Sequence, residues 1–345
     1  MTYWYTGVQE TVAMVREVLP DVPILLGGVY ASLMPEHARR CSGADEVIPG
    51  PGEHNVAEAL YRHTGVVREG TPDERPYELE PALDLLPHVR FLPLITSRGC
   101  PFKCSYCASR RLVPEFVRKP VDDVIREIKR ARDCFDAHEI ALYDDAFLVQ
   151  PESHALPILR RTAEELPGMV WHAPNGLHAA PIDREVAHAM KASGFETIRI
   201  GFESSSDRFH DRTGGKTNKD AFLSAVLHLR DAGFDQEQIG AYILTGFPGQ
   251  TRERLEADVE FVLRAGAHPK PAEYSPIPGT AAWPEAVAKS RFPIGNEPLF
   301  HNCTMLAAAE PGIDWAFLQK TRRKILEYLD SHARSAGVPD PQDTC

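Results

Sequence analysis

No stretch of this sequence is apolar enough to cross a membrane as a helix. Runs such as Val22–Leu26 fall far short of the roughly 20 residues a span needs. The opening residues, MTYWYTGVQE, lack both the basic region and the apolar core of a secretory signal. Positive charge is in deficit: 38 Lys and Arg face 49 Asp and Glu, for a net charge of −11. A field of that sign does not draw in nucleic acid. These absences predict a cytoplasmic protein with neither a membrane nor a nucleic acid as partner. An even set of cysteines is also missing. The seven are Cys41, Cys100, Cys104, Cys107, Cys134, Cys303 and Cys345. A disulfide framework is small, secreted and evenly paired, whereas here three thiols crowd into Cys100–Cys107, which reads as a metal site.

What is present is ordinary globular material. Hydrophobic residues make up 43% and charged residues 25% of 345 residues, a length that suggests about two domains. Helical spacing over Val8–Val18, Met34–Arg40 and Asn55–His63 alternates with short strands at Pro23–Leu26 and Glu46–Pro49, the pattern of a parallel α/β sheet. A segment rich in Pro, Glu and Asp, Thr71–Pro87, reads as a linker. The alternation then restarts. Strands are predicted at Leu92–Ser97, Glu139–Tyr143, Val170–Ala173, Thr197–Gly201, Gln238–Leu244 and Ala272–Ser275. Helices are predicted between them at Val121–Phe135, Ser153–Leu166, Asp183–Ser193, Lys219–Ala232 and Arg252–Ala265. Such units build a parallel barrel or a doubly wound sheet, and six strands are too few to close an eight-stranded barrel. In either architecture functional residues gather at the carboxyl ends of the strands. A helix at Trp315–His332 and a frayed, proline-containing end complete the chain.

The strongest signal follows the first of these strands: Ser97-Arg-Gly-Cys100-Pro-Phe-Lys-Cys104-Ser-Tyr-Cys107. Thiolates at this spacing can wrap one face of an iron–sulfur cube. A saturated 4Fe–4S cluster takes four thiolates, so three would leave one iron open to another ligand. Structural zinc asks for four ligands in paired spacings, and no fourth Cys or His lies nearby. A Cys104/Cys107 redox pair would leave Cys100 unexplained. The motif resembles the signature of the radical S-adenosylmethionine (radical SAM) superfamily, and the resemblance extends over about residues 91–280. It implies a partial (β/α)6 TIM-like barrel. It also implies a 4Fe–4S cluster on Cys100, Cys104 and Cys107, S-adenosylmethionine at the open iron, and Tyr106 beside the adenine. Reductive cleavage to a 5′-deoxyadenosyl radical, a small-molecule substrate and an electron donor such as flavodoxin or ferredoxin follow from the same resemblance.

Other strand ends fit that family in order. Leu142-Tyr-Asp144-Asp145-Ala-Phe147 closes the second strand, where a carboxylate could bind the ligand's amino group or substrate, or simply cap a turn. Gly201-Phe-Glu203-Ser204 resembles the family's G-x-E-S segment, which places Glu203 and Ser204 near the methionine or ribose. Ile243-Leu-Thr-Gly246-Phe-Pro-Gly249-Gln250-Thr251 resembles the adenine-side glycine segment, with Gln250 where Glu is common, so that a capping role is expected there. Arg199, in the fourth strand, is expected to be a paired structural residue, and His172 and His178 to be satisfied polar packing. Gly214-Gly-Lys216-Thr217 ends like a phosphate-binding loop, but His210 replaces its first glycine and no strand feeds it, so it is set aside.

Tyr3-Trp-Tyr5, Gly27-Gly28 with Ser32 and Pro35-Glu36-His37, and Gly50-Pro-Gly-Glu53 resemble the later part of a cobalamin-binding, Rossmann-like domain. The radical SAM subgroup with such a domain includes methyltransferases and the anaerobic porphyrin ring cyclase. That domain ordinarily opens with a strand, a helix and a further strand that precede everything seen here. An incomplete Rossmann-like α/β segment is therefore expected, binding cobalamin weakly or not at all. The expected organisation is this segment at 1–70, a linker at 71–90, the core barrel at 91–284 and a helical extension at 285–345. The competing readings are a cobalamin-using radical enzyme, a cobalamin-independent one with a vestigial first domain, and a non-catalytic iron–sulfur or zinc scaffold.

Overall fold

The computed structural model describes residues 1–66 and 81–335. Most of the predicted linker, and the chain end with Cys345, lie outside the described residues. The first unit runs α1 (Tyr5–Val18), β1 (Leu25–Leu26), α2 (Gly28–Leu33), α3 (Pro35–Cys41), β2 (Glu46–Val47) and α4 (Gly52–Thr64). Its two strands pair in parallel, Leu25 with Glu46 and Leu26 with Val47. Ser32 ties their carboxyl ends: its hydroxyl donates to the Gly28 carbonyl and accepts from the Gly50 amide at 2.9 Å. Tyr30, Ala31, Ala38 and Val47 form a small core of its own.

The second unit contains β3 (Phe91–Leu94), β4 (Ser97–Arg98), α5 (Ser109–Leu112), β5 (Val117–Arg118), α6 (Val121–Phe135), β6 (Glu139–Leu142), α7 (Ala155–Glu165), β7 (Val170–His172), α8 (Arg184–Ala192) and β8 (Phe195–Glu203). It continues through α9 (Asp207–Thr213), α10 (Lys219–Asp231), β9 (Ile239–Thr245), α11 (Arg252–Arg264), β10 (His268–Glu273), α12 (Trp283–Lys289) and α13 (Trp315–Ser335). Six strands form one parallel sheet in sequential order, β3-β6-β7-β8-β9-β10. That is the predicted partial barrel, a mixed α/β fold with five predicted strands in place and the sixth, predicted at Ala272–Ser275, lying at His268–Glu273 because its polar, proline-broken sequence carries no apolar run. The helices start where side chains satisfy free amides: Asp183 caps Val186, Asn218 caps Ala221 and Thr251 caps Arg254.

Strand pleating sorts the sheet's two faces. Outward-pointing Leu92, Leu94, Ile140, Leu142, Trp171, Ile198, Ile200, Phe202 and Ile243 are buried against the helices in one continuous core. Trp171 stacks on Phe195 with centroids 5.5 Å apart, and Phe202 on Phe222 at 4.2 Å. Burying each such side chain is worth about 1.5–3 kcal/mol, so the helical face holds the fold. The inward face is different. Pro93, Ala141, His172, Arg199, Tyr242, Lys270 and Ala272 are only half-buried, because six strands do not close over their own interior.

Helix α12 runs across the expected 284/285 boundary, because Ala282 donates from its backbone to the Ser105 carbonyl at 2.8 Å and so anchors that helix to the cysteine loop. The extension also carries the first unit. Thr2 Oγ1 lies 2.9 Å from His301 Nδ1, and the Tyr5 hydroxyl donates to Glu297 at 3.2 Å. Among the described residues no helix is long and apolar enough to cross a membrane.

Candidate active site

The cysteine loop leaves the sheet at β3 and is closed at its base by antiparallel β4 and β5, which pair Ser97 with Arg118 and Arg98 with Val117. Gly99 at the neck has φ +78, and a Cβ there would lie 2.2 Å from the Glu115 carbonyl oxygen, so only glycine lets the two sides of the loop meet. Three backbone bonds fix the tip: Cys107 to Cys104 at 3.1 Å, Ser105 to Thr213 at 3.0 Å, and Ala282 to Ser105. Cys100, Cys104 and Cys107 all border one cleft of about 440 Å³. Among the described residues no three Cys, His, Asp or Glu side chains converge on a single ion. The thiols therefore face a shared space rather than closing on a point.

The same cleft is lined by Tyr106 of the cysteine loop and by Asp145, Asn175, Gly176, His178, Glu203 and Lys216. Glu203 ends β8 at a register shift and holds φ +71, a strained conformation for a residue with a Cβ. Its carboxylate accepts from Lys216 Nζ at 2.8 Å, and only 11% of the Glu203 side chain and 15% of the Lys216 side chain are exposed. Gly201 makes room for the pair, since a Cβ there would come within 2.8 Å of Lys216 Nζ. Burial opposes the Lys216 charge, but Glu203 and Cys104 outweigh it and raise the ammonium pKa. Burial pushes the Cys100 and Cys104 thiols up, while Lys216 and the Tyr106 hydroxyl pull Cys104 back. The Tyr106 ring packs at 6.2 Å from Phe247 and 6.5 Å from Phe209, forming an apolar wall with the Lys216 ammonium 5.9 Å from its centroid.

Sequence reasoning missed Lys216 by treating its glycines as a failed phosphate loop. Gly214 serves a different purpose. At φ +108 it presses against Lys103 of the cysteine loop, where a Cβ would meet the carbonyl oxygen at 2.8 Å. His178 is also not the satisfied packing residue expected. Its Nδ1 is buried with no hydrogen-bond partner, its ring lies 4.3 Å from Phe102, and burial with Lys216 nearby drives its pKa down to about 3. It is a neutral imidazole presented to the cleft. His172, by contrast, has a partner in Thr197 at 2.9 Å.

Four predicted ligand residues do not reach the cleft. Asp144 turns to the outer side of its strand and accepts from the Thr96 amide (2.7 Å), the Thr96 hydroxyl (2.7 Å) and the Ser97 hydroxyl (2.5 Å). It latches β6 to the neck of the cysteine loop, and its neighbour Asp145 borders the cleft instead. Ser204 donates to Asp258, which also accepts from Ser205 and pairs with Arg254, so that hydroxyl is engaged behind the site. Gly246 and Gly249 shape a turn, at φ +76 and +82, that packs under Leu306, Ala309 and Lys289. Gln250 closes that turn as a cap, accepting from Gly246 at 2.7 Å and donating to the Leu244 carbonyl at 2.8 Å.

The latch makes a pH prediction. Burial raises the Asp144 carboxyl from 3.8 to about 6 against the pull of its hydrogen bonds. A carboxyl raised in the folded state contributes stability that is complete below pH 3.8 and is lost as pH climbs through about 6. Unfolding measured against Asp144→Asn should show the wild-type advantage shrinking by about 2 kcal/mol between pH 4 and 7. A flat difference would mean that the carboxylate is as comfortable folded as unfolded.

The sequence model of the radical SAM superfamily matches residues 94–262, which span the cysteine loop, β6 to β9 and most of α11. The chain carries a radical SAM superfamily domain. An uncharacterised methyltransferase of Pyrococcus horikoshii is 29% identical over 314 residues, covering 81% of this chain and 66% of that protein. The anaerobic magnesium-protoporphyrin IX monomethyl ester cyclase of Rubrivivax gelatinosus is 21% identical, covering 72% of this chain and 50% of the cyclase. Among solved structures, the radical SAM methyltransferase TsrM of Kitasatospora setae superposes with a TM-score of 0.68 at 17% identity, over 83% of this chain and 61% of TsrM. The cobalamin-dependent radical enzyme OxsB superposes at 0.60 with 16% identity, over 96% of this chain and 51% of OxsB. This radical SAM chain thus spans 66% or less of the length of these relatives. That domain implies a 4Fe–4S cluster and S-adenosylmethionine as the family's cofactors.

Proposed function

We propose that this protein holds a 4Fe–4S cluster on Cys100, Cys104 and Cys107 and reductively cleaves S-adenosylmethionine. The observation that carries the reading is the cleft itself, which brings together three thiols, Tyr106 beside them, the Glu203–Lys216 pair and an unpartnered His178. The donor set fits the group, because three thiolates leave one iron of a cube for an external ligand, and thiols raised by burial need a positive neighbour to ionise. Bound there, the cluster supplies the electron that splits a carbon–sulfur bond of S-adenosylmethionine, giving methionine and a 5′-deoxyadenosyl radical.

The chain's own residues do the rest. Lys216 and Glu203 present one buried cation and one buried anion, complementary to the carboxylate and ammonium of a methionine moiety. Tyr106, with Phe209 and Phe247 behind it, offers the flat apolar wall an adenine needs. His178 Nδ1 stays neutral at physiological pH and exchanges one hydrogen bond with a bound group. A small flavodoxin or ferredoxin is the class of donor that delivers single electrons, and a small organic molecule is the expected substrate. We retain the expected organisation as part of this reading, with residues 1–70 as an incomplete Rossmann-like unit, 71–90 as a linker, 91–284 as the core barrel and 285–345 as a helical extension.

A specific observation favours a second cofactor. Helix α2, which begins at Gly28 (φ +83) directly after β1, packs against α5, which follows Cys107 by two residues. A ligand at the carboxyl ends of β1 and β2 would therefore sit beside the cysteine loop, where a methyl-carrying cobalamin would have to be. Anaerobic reconstitution followed by reduction tests both readings. The cluster-loaded protein should release 5′-deoxyadenosine and methionine. Release of S-adenosylhomocysteine together with co-elution of hydroxocobalamin would select methyl transfer. A loaded cluster that forms neither nucleoside product would leave a non-catalytic scaffold.

A further inference from the structure

The half-open interior of the sheet contains two cations without a counter-ion. Arg199 of β8 points inward and lies across Gly240 of β9, whose missing side chain makes room for it: a Cβ there would be 2.7–3.0 Å from the guanidinium and its stem. The neighbouring strand β10 pairs with β9, His268 beside Gly240 and Lys270 beside Tyr242. Arg199, His268 and Lys270 therefore line one cavity of about 410 Å³.

The surrounding charges leave that pair uncompensated. Arg199 donates only to the carbonyl of its neighbour Ile198, and among the described residues neither it nor Lys270 forms an ion pair with a carboxylate. Arg322, also at the cavity, is paired with Glu273. Glu237 acts on Lys270 only weakly, behind burial and the repulsion from Arg199. Glu139 borders a second cavity together with Arg199, but there it faces His172 at 3.9 Å and forms no ion pair with the guanidinium. Burial, then Lys270 and Arg199, hold His268 down to about 4, so it stands as a neutral ring at physiological pH. The Tyr242 hydroxyl donates to the Pro174 carbonyl at 2.7 Å and is not available to a ligand. Two half-buried cations held near each other without an anion cost stability, and a protein that uses paired arginines elsewhere has no structural reason to keep them.

Position gives the cations a role. Tyr242 borders both this cavity and the cleft of the cysteine loop. Arg199 and Glu203 point to the same face of β8, four residues apart, or roughly 13 Å along the strand. Resting on the reading of that cleft as the reaction site, we propose that Arg199 and Lys270 form an oxyanion-binding subsite for a carboxylate or phosphate group of the substrate. The substrate then spans the interior, its anionic end on β8 and β10 and its reacting end at the cysteine loop. Arginine suits this task because its planar fork meets a carboxylate or phosphate with two parallel hydrogen bonds.

The test uses the full chain with its cluster loaded, and inorganic phosphate or succinate as the probe at matched ionic strength. At least one of the two probes should raise the melting temperature in a saturable way, as a ligand of the folded state must. Arg199→Gln/Lys270→Gln should weaken that probe at least tenfold, melt no lower than the wild type without ligand, and keep its iron. Gly240→Val, which fills the space under the guanidinium while keeping both charges, should weaken it as well. Which probe binds decides between phosphate and carboxylate. No saturable shift with either probe, or an equal shift in the double variant, overturns the proposal. Because binding is read without S-adenosylmethionine, that failure is separate from any failure of cofactor cleavage.

Discussion

Cys104→Ala protein, reconstituted anaerobically, is expected to fall from about four irons per chain to background, and Cys100→Ala and Cys107→Ala should behave the same way. The reason is geometric. The loop is tied at its neck by β4 and β5 and at its tip to Thr213 and Ala282, so the cleft presents these three thiols and cannot recruit another. Cys134 is exposed near the end of α6, Cys41 is half-buried at the end of α3, and Cys303 is half-buried in the extension. Alanine at any of those three should leave the iron and sulfide content unchanged. All production of 5′-deoxyadenosine should vanish with the cluster. A triple Cys100/Cys104/Cys107 variant that still took up about four irons would end the assignment.

Glu203→Ala should destabilise the protein by about 3 kcal/mol or more, because it leaves the Lys216 ammonium buried without its partner. The Lys216→Met variant should cost a similar amount from the other side. The double variant Glu203→Ala/Lys216→Met should be more stable than either single one, since no uncompensated charge is left. Urea unfolding of the four proteins measures the coupling. All of them should keep their iron, as neither residue is a thiolate, whereas the single and double variants should bind S-adenosylmethionine more weakly. A double variant as unstable as the sum of the singles would show that the 2.8 Å contact contributes no coupling. Loss of iron with Glu203→Ala would make the pair a structural brace for the cysteine loop.

The sequence alone was sufficient for features carried by short-range spacing. Three thiols within eight residues must share one loop whatever the fold. Five of the six strands announced themselves because strands buried on their helical face read as apolar runs, and the helices between them carry their own period and caps; the last, His268–Glu273, has no such run and was placed four residues late. Glycines were legible as special backbone positions, yet their purpose was not. Gly214 and Gly215 looked like the remains of a phosphate loop, when Gly214 is there because the α9–α10 connection touches Lys103.

Only the tertiary structure decided which side chains face the cleft. Asp144 and Asp145 are adjacent and chemically identical, but in the turn that leaves β6 one becomes a latch on Thr96 and Ser97 and the other a cleft residue. Ser204 follows Glu203 directly, yet Asp258, 54 residues away, claims its hydroxyl. Lys216 reaches the site from the far end of α9, and Arg199 is left without a carboxylate because Gly240 leads it toward Lys270. Local spacing fixes loops and periods because it depends on covalent geometry. The pairing of charges and the direction of each side chain depend on residues brought together from distant parts of the chain, and no local pattern encodes that.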